Sequence, residues 1–435
     1  MRMKMAMLLG LVTLGSIACG ERTPTSVDPD LLALHPTTVE VRLSWEEFGS
    51  NLEVFGGYGS LNQLGTGFVA HAFGGALEAR TLVRFADLPR VATVTDTTGT
   101  SRTDTLLTLR SGRVVVFLDT LNSVADGPVT LELGAVRQRW DAATATWAMA
   151  VDSTGEALAW AEPGGGPVIR VATAVWDPAA PGDSVVFALD SAKVEIWRDT
   201  SAVNQGALLG LVTAGARLKV NNVILRARVR PSVRPDTLVD LAGTREALTF
   251  LYTPEPGPPG SDVRVGGAPA WRTVLDITVP ARLTGPASLC AAAGCPVELT
   301  PTRVNYAALV LSSRRTRSGF HPSDSLGLDV RAVHERSSMP KSPLGPSLVG
   351  AYGKRVGPGL FAAEEGTEVE IPITAFVRAI LEGDSVGGFP PPRSLVLLSA
   401  FEPSSLTFAS FFGPGTARAP VLKLIVTAGR SVQLP

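Results

Sequence analysis

Side chains able to do chemistry are few and dispersed in this 435-residue chain. Adjacent acids occur at Glu46-Glu47 and Glu364-Glu365, and two carboxylates facing each other across a cleft are what glycosidic-bond hydrolysis needs. Acids side by side in polar loops are ordinarily just solvated. The chain has no Gly-x-Ser-x-Gly elbow, no His-Glu-x-x-His and no phosphate-cradling Gly-x-x-x-x-Gly-Lys, so catalysis is not expected. His35, His71, His321 and His334 are scattered, and no Asp-x-Asp-x-Asp-Gly spacing occurs, so no metal or cofactor is assigned.

Aromatic side chains offer a different chemistry, because the CH faces of a sugar stack on flat rings in an open groove. Trp140, Trp147, Trp160, Trp176 and Trp197 fall within one stretch beside alternating segments, and that placement is read as packing between sheets. Trp45 and Tyr58 lie in a Gly- and Asn-rich region with poor strand patterning. They are the expected ligand-contacting residues.

The N-terminus sets the compartment. Arg2 and Lys4 precede an apolar run from Met5 to Leu14, which closes on Gly15, Ser16 and Ala18 before Cys19. That order is a signal peptide over 1–18, and its apolar run is shorter than the roughly 20 residues of a spanning helix. Ser16-Ile17-Ala18-Cys19 resembles the lipobox of bacterial lipoproteins, although Ser16 stands where Leu is usual. The resemblance implies that Cys19 is acylated and anchors the chain to a membrane, with the outer membrane of the cell envelope as the expected location. In an exported chain Cys290 and Cys295, which enclose Ala-Ala-Ala-Gly, read as a local disulfide. The near balance of 39 Lys+Arg and 40 Asp+Glu, spread along the chain, argues against nucleic acid as a partner.

Positioning falls to short strands. Residues 19–37 carry Thr, Pro, Ser and Asp without apolar period and read as a lipidated tether. From Thr38 onward, short alternating or apolar runs such as Arg80 to Phe85 and Val129 to Val136 are punctuated by Gly, Pro, Asn and Asp. The expected fold class is all-β: two tandem β-sandwich, jelly-roll-like domains, each with at most one short helix. The Pro/Gly run from Pro254 to Gly260 supplies the boundary, giving a first domain over 38–253, a linker over 254–262 and a second domain over 263–430. Ile373, Phe376, Val377 and Ile380 have helical spacing, with Thr374 as a cap and Gly383 as a stop.

The two halves repeat one another. Gly74-Gly75-Ala76 through Arg80-Thr81-Leu82-Val83 aligns without a gap on Gly266-Gly267-Ala268 through Arg272-Thr273-Val274-Leu275. Val129 to Val136 parallels Leu326 to Val333, Ser191 to Trp197 parallels Thr374 to Ile380, and Ala247 to Tyr252 parallels Val421 to Val426.

Arg80 to Phe85, then Arg139-Trp140-Asp141, Thr144-Ala145-Thr146-Trp147 and Trp160 before Gly164-Gly165-Gly166, together resemble the DNRLRE-domain family. In the second half Ile373 to Gly383, Phe408-Ala409-Ser410 and Ala419 to Leu424 are similar to that family's closing helix and strand, and Asn204-Gln205-Gly206 stands where the family has N-x-G. The second half lacks the Trp-Asp and Thr-x-Thr-Trp block, and neither half has the namesake motif. The resemblance implies β-sandwich modules of exported proteins, grouped with carbohydrate-binding modules. The expected function is non-catalytic binding of a polysaccharide or envelope glycan, and the alternative is a structural or adhesive module that contacts other proteins.

Overall fold

The structure, a computed structural model, describes residues 36–198, 205–317, 319–362, 365–383, 391–403 and 405–429. The signal peptide, Cys19, nearly all of the tether, Asn204, Glu364 and the end of the second domain lie outside them. Among the described residues no helix is long and apolar enough to cross a membrane.

The chain enters through β1 (Thr37–Leu43), a one-turn helix α1 (Trp45–Phe48) and β2 (Gly49–Tyr58). The first body then takes β3 (Gly67–Phe73), β4 (Leu77–Phe85), β5 (Leu107–Val124), β6 (Val129–Val136), β7 (Val168–Trp176) and β8 (Ser184–Asp190). Helix α2 (Ser191–Arg198) leads on to β9 (Ala207–Leu211), β10 (Ala216–Pro231) and β11 (Arg245–Thr253). The second body holds β12 (Val263–Gly266), β13 (Ala270–Ile277), α3 (Ala287–Ala293), β14 (Val304–Arg314), β15 (Leu326–Val333) and β16 (Lys354–Val356). It closes with α4 (Gly359–Ala362), β17 (Glu368–Pro372), α5 (Thr374–Glu382), β18 (Ser394–Ser399), β19 (Phe408–Phe411) and β20 (Val421–Ala428).

The fold is all-β, built of large antiparallel sheets with few helices. Strand order in the first body runs β8-β5-β10-β3-β4-β9-β6-β7, and in the second the path β14-β19-β12-β13-β18-β15 carries β17 on β14. Taken from β8 and from β17, the two orders match strand for strand over seven positions. In each, the strand that follows the helix inserts between the two strands carrying the matched alternating blocks: β9 between β4 and β6, β18 between β13 and β15. Alternation puts alternate side chains inward, and the two largest apolar cores are centred on Val83, Leu131 and Leu225 in the first body and on Leu275, Leu309 and Leu397 in the second.

The start of the chain departs from the expected boundaries. Residues 38–58 were placed with the first domain by sequence order, but β1 pairs with β20 and β2 with β13, both in the second body. The reason is a vacant edge. In the first body β11 pairs with β4; in the second body the closing strand β20 pairs with β14 instead, and β2 takes the place on β13. Val39, Val41 and Leu43 of β1 enter the second core as well.

Helix α5 spans the expected segment and stops at Gly383, whose φ of 67° is the left-handed region that glycine enters freely. Thr374 does not cap it. Its hydroxyl accepts from the Ala307 amide of β14, 2.9 Å away, and so ties the helix to the sheet. The second body also carries α3 and α4, which the apolar patterning does not announce. Helix α3 runs into the Cys290–Cys295 loop, with Cys290 in the helix and Cys295 just past its end, and the disulfide is formed.

Candidate functional site

The structure turns Trp45 inward. Ser44 and Glu47 form a capping box, with the Ser44 amide donating to Glu47 Oε2 at 2.7 Å, and the resulting turn folds the indole over Gly49. A Cβ at Gly49 would lie 2.4 Å from the ring, and Phe48 packs edge-on to it at 5.4 Å. With 9% of its surface exposed, Trp45 is a core residue and not a ligand contact. A short polar helix between two strands carries no periodicity long enough to reveal this.

Tyr58 is half-buried and already partnered. Its hydroxyl donates to the Pro340 carbonyl at 2.7 Å, and the Arg272 guanidinium lies 3.7 Å over its ring. Arg272 in turn donates to Glu402 at 2.7 Å. Burial raises the Tyr58 hydroxyl above its ordinary pKa, against the pull of Arg272. One ring face is thereby occupied, and Tyr58 acts as a strut between β2 and the loop at Pro340.

Of the five clustered tryptophans, Trp140, Trp160, Trp176 and Trp197 are buried as expected. Three of them satisfy their indole N–H on backbone carbonyls: Trp140 on Gln205, Trp160 on Thr146 and Trp197 on Gly206. Trp147 packs on the cluster formed by Trp140 and Trp160 but is less fully covered. It is half-buried, with Arg80 5.3 Å from its ring centroid, and it lines a cleft of about 180 Å³ with Ser60, Thr144, Tyr252 and Glu255. Burial, and then the nearby Glu255 carboxylate, push the Tyr252 hydroxyl pKa well up.

That cleft opens where the two bodies meet. The junction is apolar: Phe68, Phe73 and Phe250 of the first body pack with Phe320, Leu406 and Phe408 of the second. Arg217 of β10 is sealed within it, its guanidinium 4.8 Å from the Phe73 centroid and donating to the Gly319 carbonyl at 2.8 Å. Burial lowers the Arg217 pKa to about 10.

A larger cleft, about 330 Å³, opens along the same junction. Asn122 and Lys219 line it from the first body; Asp324, Ser399, Phe401 and Thr407 are among its residues from the second. Lys219 pairs with Asp119 at 3.0 Å, and Asn122 donates to the same carboxylate at 2.9 Å. Burial works against the Asp119 charge, but these hydrogen bonds outweigh it and hold the carboxyl below the usual range. Beside Phe401 stands Tyr352, with ring centroids 6.2 Å apart; 60% and 74% of their surfaces are exposed.

Local chemistry builds this pair. Tyr352 sits in the turn Gly350–Gly353, whose two glycines take φ of 90° and 66°. Gly327 of β15 lets that turn lie flat on the strand, because a Cβ there would come within 2.7 Å of the Tyr352 carbonyl. The Ala400 amide bonds to the Gly327 carbonyl at 2.9 Å and sets Phe401 just past β18. Reasoning from sequence missed both rings. The available signal was Gly350-Ala351-Tyr352-Gly353, an aromatic residue held at the tip of a glycine turn.

Among the described residues no group of His, Cys, Asp and Glu suited to a metal is present. No family model matches the chain, and no curated protein is similar to it. Among solved structures it aligns with one of the Macrobrachium rosenbergii nodavirus at 10% identity, over 97% of this chain and 96% of that one, with a TM-score of 0.12, which carries no argument about fold or function.

Proposed function

We propose that this chain is an exported lipoprotein that binds a polysaccharide or envelope glycan at the junction of its two bodies, with Tyr352 and Phe401 as the stacking platform. The observation that carries the reading is the pair itself. Exposing two adjacent rings forgoes roughly 1.5–3 kcal/mol of burial for each, a cost that needs a reason. Rings stacked on sugar CH faces recover that energy on binding, and Asn122, Lys219, Asp324 and Ser405 line the adjoining cleft that Phe401 borders, supplying polar groups beside the platform. The resemblance to DNRLRE modules agrees with a glycan ligand. The N-terminal pattern agrees with a lipid on Cys19.

The test is a glycan array probed with the chain from residue 19 onward, followed by titration of any hit with Phe401→Ala and Tyr352→Ala. Loss of binding in both variants, with melting unchanged, supports the reading; binding unaffected by either removes the platform from the site. Cys19→Ser in a bacterial host should abolish acyl labelling and release the protein from membranes, and unchanged labelling would refute the lipid anchor.

A further inference from the structure

The sheet of the second body ends on β1, and among the described residues no strand pairs with the outer edge of β1. Such edges are usually blunted by bulges, prolines or brevity, because free N–H and C=O groups recruit another strand. This edge has no bulge, no proline and is not short; its guard is the exposed charges of Glu40 and Arg42. β1 runs seven residues in unbroken register with β20, from Thr37 opposite Ala428 to Leu43 opposite Leu422, and has no proline. A groove of about 730 Å³ lies alongside, lined by Glu40, Val41, Arg42 and Leu43 on one side and by Pro280 and Leu283 on another.

The residue order of this edge is self-complementary. Burial alternates along β1, so Val39, Val41 and Leu43 face the core and Glu40 and Arg42 face solvent. If a second β1 runs antiparallel with Val41 opposite Val41, then Glu40 of each copy lies opposite Arg42 of the other, and Val39 lies opposite Leu43. Directly opposed residues share one face of a sheet, so the two charge pairs form on the solvent side and the apolar residues meet on the core side. Within the chain Arg42 stands opposite Lys423, a like charge, and is relieved by Glu368 at 2.6 Å and more distantly by Glu40 at 3.9 Å, while Glu40 also lies 3.3 Å from Lys423.

We infer that β1 is a self-association edge that pairs antiparallel with β1 of a second copy of this chain, about a two-fold axis at Val41. A closed two-fold contact uses up both edges and stops at a dimer. Two short strands bury little surface, so the dimer is of the weak class and its population rises with concentration. Lipid anchoring of neighbouring copies would supply that concentration.

The experiment is sedimentation equilibrium on the chain from residue 19 onward, carrying Cys19→Ser so that no lipid intervenes. The parent should shift from monomer toward dimer with rising concentration. Glu40→Arg sets arginine against Arg42 in both pairs, and Arg42→Glu sets glutamate against Glu40 in both, so each variant should dimerise about tenfold more weakly. An equimolar mixture of the two variants restores both opposite-charge pairs, and should dimerise like the parent. Melting curves check that each variant folds. Should either fail to fold, hydrogen exchange of the β1 amides in dilute and concentrated parent gives the second measurement, with protection expected only when concentrated. A parent that stays monomeric at millimolar concentration overturns the inference, whether or not the edge takes a strand from another protein. So do variants that dimerise as well as the parent, or a mixture that fails to recover.

Discussion

Tyr352 and Phe401 come from different turns 49 positions apart in the chain, yet their rings stand 6.2 Å apart in solvent, with Phe401 lining the cleft at the junction of the two bodies. Neither ring contributes to a core. Phe401→Ala and Tyr352→Ala should therefore leave the melting temperature within a degree or two of the parent, since surface changes away from packed features stay within about 0.5 kcal/mol. Each should weaken glycan binding about tenfold or more, as measured by calorimetric titration. A large drop in melting temperature would show that the rings are structural.

Trp45→Ala should behave in the opposite way. Truncating a buried tryptophan costs about 3–5 kcal/mol through lost transfer energy and the cavity left behind. Urea unfolding should show that loss, with glycan affinity unchanged in whatever fraction remains folded. Unfolding at the parent's midpoint would return Trp45 to the list of exposed residues.

Arg217 ties the two bodies together, and Arg217→Ala should leave the Gly319 carbonyl unpaired and a void against Phe73. The expected loss is about 2–4 kcal/mol, from a buried unsatisfied acceptor together with a cavity. Arg217→Met keeps an unbranched apolar stem over Phe73 and should lose less. If differential scanning calorimetry finds Arg217→Ala as stable as the parent, the residue does not hold the junction.

Asp96, at the turn between Ala92–Thr95 and Ser101–Asp104, accepts from the Thr98 hydroxyl at 2.6 Å, from the Thr100 amide at 3.0 Å and from the Thr98 amide at 2.8 Å. These bonds, the Thr98 hydroxyl foremost, lower its pKa from 3.8 to about 2. A carboxyl with a depressed folded pKa contributes its stabilisation above the unfolded value and loses it as pH falls through the folded one. The hairpin should therefore hold down to about pH 3.8 and loosen toward pH 2. Carboxyl carbon shifts followed by NMR should give a midpoint near 2 for Asp96; a midpoint near 4 would mean that the turn is not formed in solution.

Much of the architecture was legible in the residues. Period-2 alternation at Val129 to Val136 and Leu326 to Val333 gave strands, because a strand must send alternate side chains to opposite faces wherever it lies. The matched blocks implied one strand arrangement used twice, and β9 and β18 each insert between the corresponding pair. Helix α5 could be read because nine residues hold two turns of apolar spacing. Cys290 and Cys295, five positions apart, had little choice of partner.

Only the tertiary structure decided where the first strands go and which aromatic side chains see solvent. β1 reads as a strand in any context, but a pairing partner is chosen by which edge is vacant, and β20 lies more than 370 positions away. Trp45, Trp147, Tyr352 and Phe401 are alike as residue types. A capping box turned the first inward, the junction of the bodies left the second half-covered, and Gly327 with Gly350 and Gly353 brought the last two together. Burial is a property of neighbours, and neighbours in an all-β protein are set by long-range pairing that local sequence does not encode.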